Sequence, residues 1–150
     1  MRGRFLHNRV ILAQVEERFR RLGASVFQEY PAKTGKRTRF VDLFVLLHGV
    51  RVVCEAELSF ARIPNDVAKA IALDADLLLI VVSTSAACRK TQLQLKKTLT
   101  VLPGLTISIL PLGVAIKRLK DQKSFLTLLN VQNWKTILHK RHHPTTPPPR

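Results

Sequence analysis

Residues 40–58 read FVDLFVLLHGVRVVCEAEL, and this stretch determines the fold that we expect. Two apolar runs, Phe40 to Leu47 and Val50 to Leu58, flank the dipeptide His48-Gly49. Because a glycine-containing pair between two strands is typical of a two-residue turn, the stretch predicts an antiparallel β-hairpin. The turn sets the register of the hairpin, with Leu47 opposite Val50.

Three carboxylates interrupt these apolar runs. The register places Asp42 directly opposite Glu55, and Glu57 lies on the same face as Glu55 because side chains alternate along a strand. Opposed residues have Cβ atoms roughly 4.5–5.5 Å apart, so the three carboxylates are expected within reach of one cation. The alternative is an exposed face on which the acids pair with cations, for which the candidates are Arg51, Arg62 and Lys69.

The rest of the chain predicts helices and strands in an order that completes a mixed sheet. The apolar run Asp76 to Val82 is typical of a strand buried on both faces, and the unit from residue 50 to 82 is a parallel β-α-β crossover. We expect an α/β fold with a mixed central sheet flanked by helices. The expected helices are 7–22, 64–73, 86–100, 113–121 and 124–139; the other expected strands are 24–30 and 105–110, and 31–38 is a basic loop.

Charge is unevenly distributed along the chain, whose 25 basic and 10 acidic residues give a formal charge of +15. Residues 1–40 hold ten basic and three acidic residues, residues 41–82 three basic and six acidic, and residues 83–150 twelve basic and one acidic. Basic flanks suit a phosphate backbone, and an acidic centre suits a cation. The alternative is that the centre carries ordinary surface acids.

Other features exclude several classes of protein. The longest aliphatic run, Leu77 to Val82, has six residues, too few to span a membrane, and the N-terminus has no apolar signal core. Cys54 and Cys88 lie in apolar stretches and predict reduced thiols in a cytoplasmic protein. We expect one domain over 1–140 and a disordered, proline-rich basic tail over 141–150.

Asp42, followed thirteen residues later by Glu55-Ala56-Glu57 on the next strand, resembles the motif of the PD-(D/E)XK nuclease superfamily. The resemblance covers roughly residues 7–110. It implies a restriction-endonuclease-like α-β-β-β-α-β core. Val41 stands where the motif has Pro, and Glu57 stands where it has Lys.

The resemblance also implies a metal centre and its residue roles. Asp42 and Glu55 match the two acids that hold Mg²⁺ or Mn²⁺, and the carbonyl of Ala56 is a further ligand. Glu57 becomes a ligand or the group that orients the attacking water. Lys69, on the following helix, replaces the motif lysine, although Asp66 three residues earlier also predicts an ordinary surface pair. Glu16 on the first helix is an additional candidate ligand, or part of a solvated helix edge.

Basic residues flank this centre and predict phosphate contacts. Those selected as nucleic-acid-binding are Lys33, Lys36, Arg37, Arg39, Lys90 and Lys97. The sequence therefore predicts a Mg²⁺-dependent endonuclease acting on nucleic acid, with DNA as the expected substrate and a homodimer as a possible form. The alternatives are a catalytically inactive nuclease fold that binds nucleic acid, alone or as a subunit of a larger complex, and a small structural or ribosome-associated basic protein.

Overall fold

The computed structural model describes residues 2–57, 60–84, 88–90, 92–93 and 104–129 of the chain. The described part is a five-stranded mixed sheet with helices on both faces, as predicted. In chain order the elements are α1 (Arg2–Arg21), β1 (Ser25–Thr34), β2 (Arg37–Leu47), β3 (Val50–Ala56), a 3₁₀ turn (Phe60–Arg62), α2 (Ile63–Ala72), β4 (Leu77–Val82), β5 (Thr106–Pro111), α3 (Leu112–Arg118) and α4 (Gln122–Leu126).

The strands lie in the sheet in the same order as in the chain. β1, β2 and β3 form an antiparallel meander, whereas β3, β4 and β5 run parallel. Antiparallel strands can be joined by a tight turn, while parallel strands need a crossover, and α2 provides the one between β3 and β4. The predicted parallel β-α-β unit is confirmed.

The turn between β2 and β3 has the predicted position and register. His48 and Gly49 have positive φ angles of 48° and 81°, as a type I′ turn requires. Leu47 pairs with Val50, and the ladder continues to the pair of Leu43 with Cys54. The hydrophobic pattern and the turn together fix this register, because a slip by one residue would turn every core side chain outward.

The predicted basic loop over 31–38 is wrong. This segment is the end of a hairpin in which β1 reaches Thr34 and β2 starts at Arg37, with Gly35 (φ 64°) in the turn. Pro31 is tolerated there because β1 is an edge strand and its missing N–H costs no ladder bond. Proline and glycine therefore mark an edge and a tight turn, not a loop.

Two hydrophobic clusters cover the two faces of the sheet. α1 packs on one face with Ile11, Val15 and Phe19, and α2 packs on the other with Ile63 and Val67. β4 is buried along its whole length, as its unbroken apolar sequence predicts. Cys54 and Cys88 are both buried thiols.

Several predicted boundaries differ from the structure. The strand expected to reach Leu58 ends at Ala56, and the helix expected over 113–121 ends at Arg118. Residues 88–90 and 92–93 are helical, as predicted for 86–100, but Lys97 lies outside the described residues, as does the predicted tail over 141–150. Among the described helices, none combines the length and apolar character that a membrane crossing needs.

Candidate functional site

The site lies where β2 and β3 part. Their ladder ends at the pair of Leu43 with Cys54, one position before Asp42. There the side chain of Asp42 accepts a hydrogen bond from the Ala56 N–H, with 2.9 Å between Oδ2 and N. The carbonyl oxygen of Phe40 accepts one from Lys69 Nζ at 3.1 Å. Side chains therefore satisfy the backbone groups at the end of this ladder.

The pairing of β1 with β2 is also interrupted beside the point where β2 and β3 separate. The β1–β2 ladder pairs Gln28 with Leu43 and Tyr30 with Val41 but skips Glu29, whose φ is 47°. Val41 and Phe44 both belong to the cluster on the α2 side, although strict alternation would place residues three apart on opposite faces. Asp42 thus lies at the point where β2 changes the face that its side chains present.

Three carboxylates converge on the α2 side of this point. Glu55, Glu57 and Asp66 each offer an oxygen, and these atoms lie within 4.8 Å of one another. We call these residues the acidic triad. Their exposed fractions are only 2%, 7% and 1%, so the alternative of an exposed acidic face is wrong for this triad.

Lys69 is the cation of the site. Its Nζ lies 2.7 Å from Glu55 Oε1 and 3.1 Å from Asp66 Oδ1. The spacing of Asp66 and Lys69 predicts a surface pair, but Asp66 is buried and the lysine side chain is 11% exposed. Helix α2 therefore directs Lys69 at the carboxylates, the orientation that its place in the β-α-β unit favours.

Burial dominates the electrostatics of the triad. Desolvation raises the pKa of Glu55 far above its usual range, and the nearby charges of Asp42 and Asp66 raise it further, against the opposing effect of Lys69. Burial also raises the pKa of Glu57 to about 8 and that of Asp66 to about 6. Burial acts to lower the pKa of Lys69, but its ion pairs with Glu55 and Asp66 outweigh burial and raise it.

The triad fits a hard divalent cation. Glu57 Oε2 and Asp66 Oδ2 are buried and have no hydrogen-bond partner among the described residues. A buried carboxylate oxygen without a partner is costly, and a cation removes that cost. Oxygen donors without a histidine or cysteine in the group suit Mg²⁺ or Mn²⁺.

Asp66 is the member that was not predicted as a ligand. Ile63, Val67 and Ala70 form the inward stripe of α2, and Asp66 falls on that stripe, three residues after Ile63. A carboxylate at an inward position of an otherwise apolar stripe is the signal that identifies it.

The predicted ligands Asp42, Ala56 and Glu16 have other partners. Asp42 accepts from the Ala56 N–H and also makes a side-chain hydrogen bond with Glu55, so it lies beside the triad as the sequence predicts. The Ala56 carbonyl lies 3.4 Å from Asn8 Nδ2, which donates to it. Glu16 accepts from Arg20 Nε at 2.9 Å and from Gln28 Nε2 at 2.6 Å. Asp42 and Glu16 also line a cavity of about 670 Å³ between α1 and the first two strands.

The predicted phosphate contacts lie on the hairpin and on one helix. Lys33, Lys36 and Arg37 are exposed, and Arg39 is half-buried. Lys90 is exposed in the helical residues 88–90. Arg51 and Arg62, which were considered as alternative partners of the acids, have different surroundings. Arg51 Nη1 donates to the Leu73 carbonyl at 3.1 Å. Arg62 is exposed, and its charge opposes the rise in the pKa of Glu57.

No family model, curated protein or solved structure shows significant similarity to this chain. The site is therefore interpreted from its own geometry and charge.

Proposed function

We propose that this protein is a divalent-metal-dependent nuclease that hydrolyses phosphodiester bonds, acting on DNA as an endonuclease. The observation that carries the proposal is the acidic triad, buried at the parting of two strands with Lys69 Nζ 2.7 Å from one of its oxygens. The order α-β-β-β-α-β supports a restriction-endonuclease-like core of the PD-(D/E)XK type. In that comparison Asp42 matches the first motif acid and hydrogen-bonds to Glu55, while Asp66 is an acid that the motif does not include.

Each residue of the site has a role in this proposal. Glu55, Glu57 and Asp66 would hold Mg²⁺ or Mn²⁺, which would supply a more acidic water and positive charge for the phosphate. Asp42 fixes the end of β3 through the Ala56 N–H, so that Glu55 and Glu57 keep their positions. The basic side chains of the hairpin contact the phosphate backbone without reading its sequence.

Lys69 acts as a cation in this proposal and not as a base. Its pKa is raised, so the ammonium group keeps its proton at neutral pH. A lysine in that state acts through its positive charge, which stabilises the negative charge that develops on the phosphate. The group that accepts a proton from the water is then one of the triad carboxylates.

The test is cleavage of labelled DNA and RNA, single-stranded and duplex, with Mg²⁺ or Mn²⁺. We expect Glu55→Gln and Asp66→Asn to slow cleavage by about 10²- to 10³-fold, the scale on which loss of one charge-stabilising group acts. Glu17→Gln is the matched control, because Glu17 is an exposed carboxylate on α1 that pairs with Arg21. Equal cleavage by all four proteins would overturn the proposed site.

Metal binding is measured separately by thermal unfolding. A cation that binds only the folded protein raises the melting temperature as its concentration rises. We expect Mn²⁺ to stabilise the wild type and Glu17→Gln, and to have little effect on Asp66→Asn. If Mn²⁺ stabilises none of them and no metal-dependent cleavage occurs, the proposed nuclease is wrong.

A second candidate function is binding of nucleic acid without cleavage. Glu57 in the position of the motif lysine favours this function. The ion pairs of Lys69 with Glu55 and Asp66 favour it as well. In that case Lys69 neutralises the buried acids permanently. The expected result is then tight binding with a steep salt dependence and no response to metal.

A further inference from the structure

Phe40 is a large aromatic residue that is 57% exposed. It lies on β2 opposite Pro31, in the part of the strand that pairs with β1 only. Its carbonyl oxygen is 3.1 Å from Lys69 Nζ, which is itself 2.7 Å from Glu55 Oε1. Val41 and Tyr30 belong to the cluster on the α2 side, so Phe40 and its partner Pro31 point to the opposite face of the hairpin from the acidic triad.

The surroundings of Phe40 are strongly basic. We define the basic ribbon as residues 30–34 and 37–41 together with the turn between them. It carries four cationic side chains, Lys33, Lys36, Arg37 and Arg39, and its sequence YPAKTGKRTRFV contains no carboxylate. Lys33 shares the face of the ring, whereas Arg37 and Arg39 lie on the other face of the basic ribbon. An exposed ring beside cations suits a partner that is both flat and anionic.

Charge decides which partner fits the basic ribbon. A second copy of the chain that covered Phe40 with its own ribbon would bring two groups of four like charges together, which opposes association. Single-stranded nucleic acid offers phosphates for the cations and an open base for the ring. In a duplex the faces of the bases are already stacked on one another and are not free for a side chain.

We propose that Phe40 is a stacking platform for an unpaired base, and that the basic ribbon holds the phosphates on either side of that base. One consequence of this inference rests on the proposed function. If the protein is a nuclease, its substrate enters the site with at least one unpaired nucleotide. Binding itself depends only on the ring and the ribbon, and is measured without metal.

The first experiment compares binding of a labelled 20-nucleotide single strand and of a duplex of the same length, in EDTA at fixed salt. Alanine substitution of a stacking aromatic costs about 5- to 100-fold in affinity for each base. We therefore expect Phe40→Ala to weaken single-strand binding by about tenfold. Duplex binding should change less than twofold. Ile71→Ala, at an apolar residue of α2 that is 55% exposed, is the matched control and should change neither.

An abasic single strand tests whether the ring contacts a base. We expect the wild type to bind this strand as weakly as Phe40→Ala does, and the variant to bind abasic and normal strands equally. Phe40→Trp should retain tight binding, and its indole emission, after subtraction of the wild-type signal, should be quenched by the single strand. Equal losses of single-strand and duplex affinity in Phe40→Ala would overturn the inference, as would no loss at all.

Two further outcomes separate this inference from its competitors. If Phe40→Ala lowers the oligomeric mass in sedimentation, the ring covers a second copy of the chain and the inference is wrong. If the base-dependent loss is found but the wild type cuts nothing with Mn²⁺, the stacking platform stands and the proposed nuclease fails. DNA and RNA single strands are compared in parallel, because both offer unpaired bases. Their relative affinities identify which nucleic acid the protein prefers.

Discussion

The two halves of β2 differ in their strand pairing and in their burial. Leu43–Leu47 is buried throughout and pairs with strands on both sides up to Leu46, whereas residues 37–41 pair with β1 alone and are largely exposed. The first half gives the sheet its stability. The second half leaves backbone groups for side chains to bind, so that Asp42, Phe40 and Lys69 meet at its boundary. The difference shows that the candidate site lies where regular pairing ends.

The two phenylalanines of β2 give the largest expected contrast. Phe44 is fully buried and stacks on Tyr30 with 4.9 Å between ring centroids, while Phe40 is 57% exposed. Phe44→Ala should lower the free energy of unfolding by about 3–5 kcal/mol, because it removes a buried ring and leaves a cavity. Phe40→Ala should change it by less than about 0.5 kcal/mol. Urea unfolding of the two variants measures both, and similar losses would contradict the division of β2.

Removal of the cation at the boundary is the next largest effect. Lys69→Met leaves Glu55 and Asp66 buried without their ion pairs, and loss of one partner of a buried pair costs about 3 kcal/mol. Thermal and urea unfolding in EDTA measure the loss. Added Mn²⁺ should restore part of the stability of this variant, because a bound cation replaces the missing positive charge.

The control for that experiment is Lys36→Met, at an exposed residue of the turn between β1 and β2. We expect this variant to differ from the wild type by less than about 0.5 kcal/mol. If Lys69→Met is as stable as Lys36→Met, the buried ion pairs contribute nothing and the electrostatic description of the site is wrong.

The acidic triad predicts a stability that falls as pH rises. Burial raises the pKa of Glu57 from 4.5 to about 8, so the unfolded chain loses this proton at a lower pH than the folded chain does. The contribution is fully present below about pH 4.5 and is lost as pH rises through about 8. Glu57→Gln carries no such proton. In EDTA its stability relative to the wild type should therefore increase between pH 5 and pH 9, by about 4 kcal/mol for the full shift and by less than that because solvent screens the partly exposed carboxyl.

Melting curves of wild type and Glu57→Gln across this pH range test the sign directly. Saturating Mn²⁺ should remove most of the decline in the wild type, because the cation stabilises the ionised carboxylates. Parallel curves for the two proteins in EDTA would show that Glu57 titrates normally and is not buried in the triad.

The regular half of the hairpin could be predicted from sequence, and the boundary could not. A turn with two positive φ angles and an unbroken apolar pattern determine the register from Leu47 to Leu43. The same extrapolation fails one residue later, because Glu29 and Asp42 break the alternation of β1 and β2 through contacts between distant parts of the chain. The sequence pattern does place Glu55 and Glu57 on one face, since Glu55 lies in β3, Glu57 directly follows that strand, and the pairing of β3 with β4 continues to Ala56.

Helix α2 shows the same limit in the candidate site. Its position after β3 indicates that Lys69 approaches the carboxylates, and local spacing places Asp66 on the inward stripe of α2, but spacing does not give the extent of its burial. The distinction depends on the depth at which α2 packs on the sheet, which is a property of the assembled core. The position of Asp42 in the motif can likewise be found from sequence. Its hydrogen bond from the Ala56 N–H cannot, because that bond depends on where the β2–β3 ladder ends.

Asp42 itself provides the finest test of the boundary. Asp42→Asn keeps an oxygen that accepts from the Ala56 N–H, whereas Asp42→Ala leaves that donor buried and unpaired, at a cost of about 1–2 kcal/mol. If Asp42 is a positioning residue, Asp42→Asn retains both stability and Mn²⁺ binding, and Asp42→Ala weakens both. Unfolding with and without Mn²⁺ separates this from direct ligation, which requires Asp42→Asn to lose the metal response while it keeps its stability. The second result would return Asp42 to the metal site and make Asp66 an accessory acid, because the carboxylate charge, and not the hydrogen bond to β3, would then be what the metal needs.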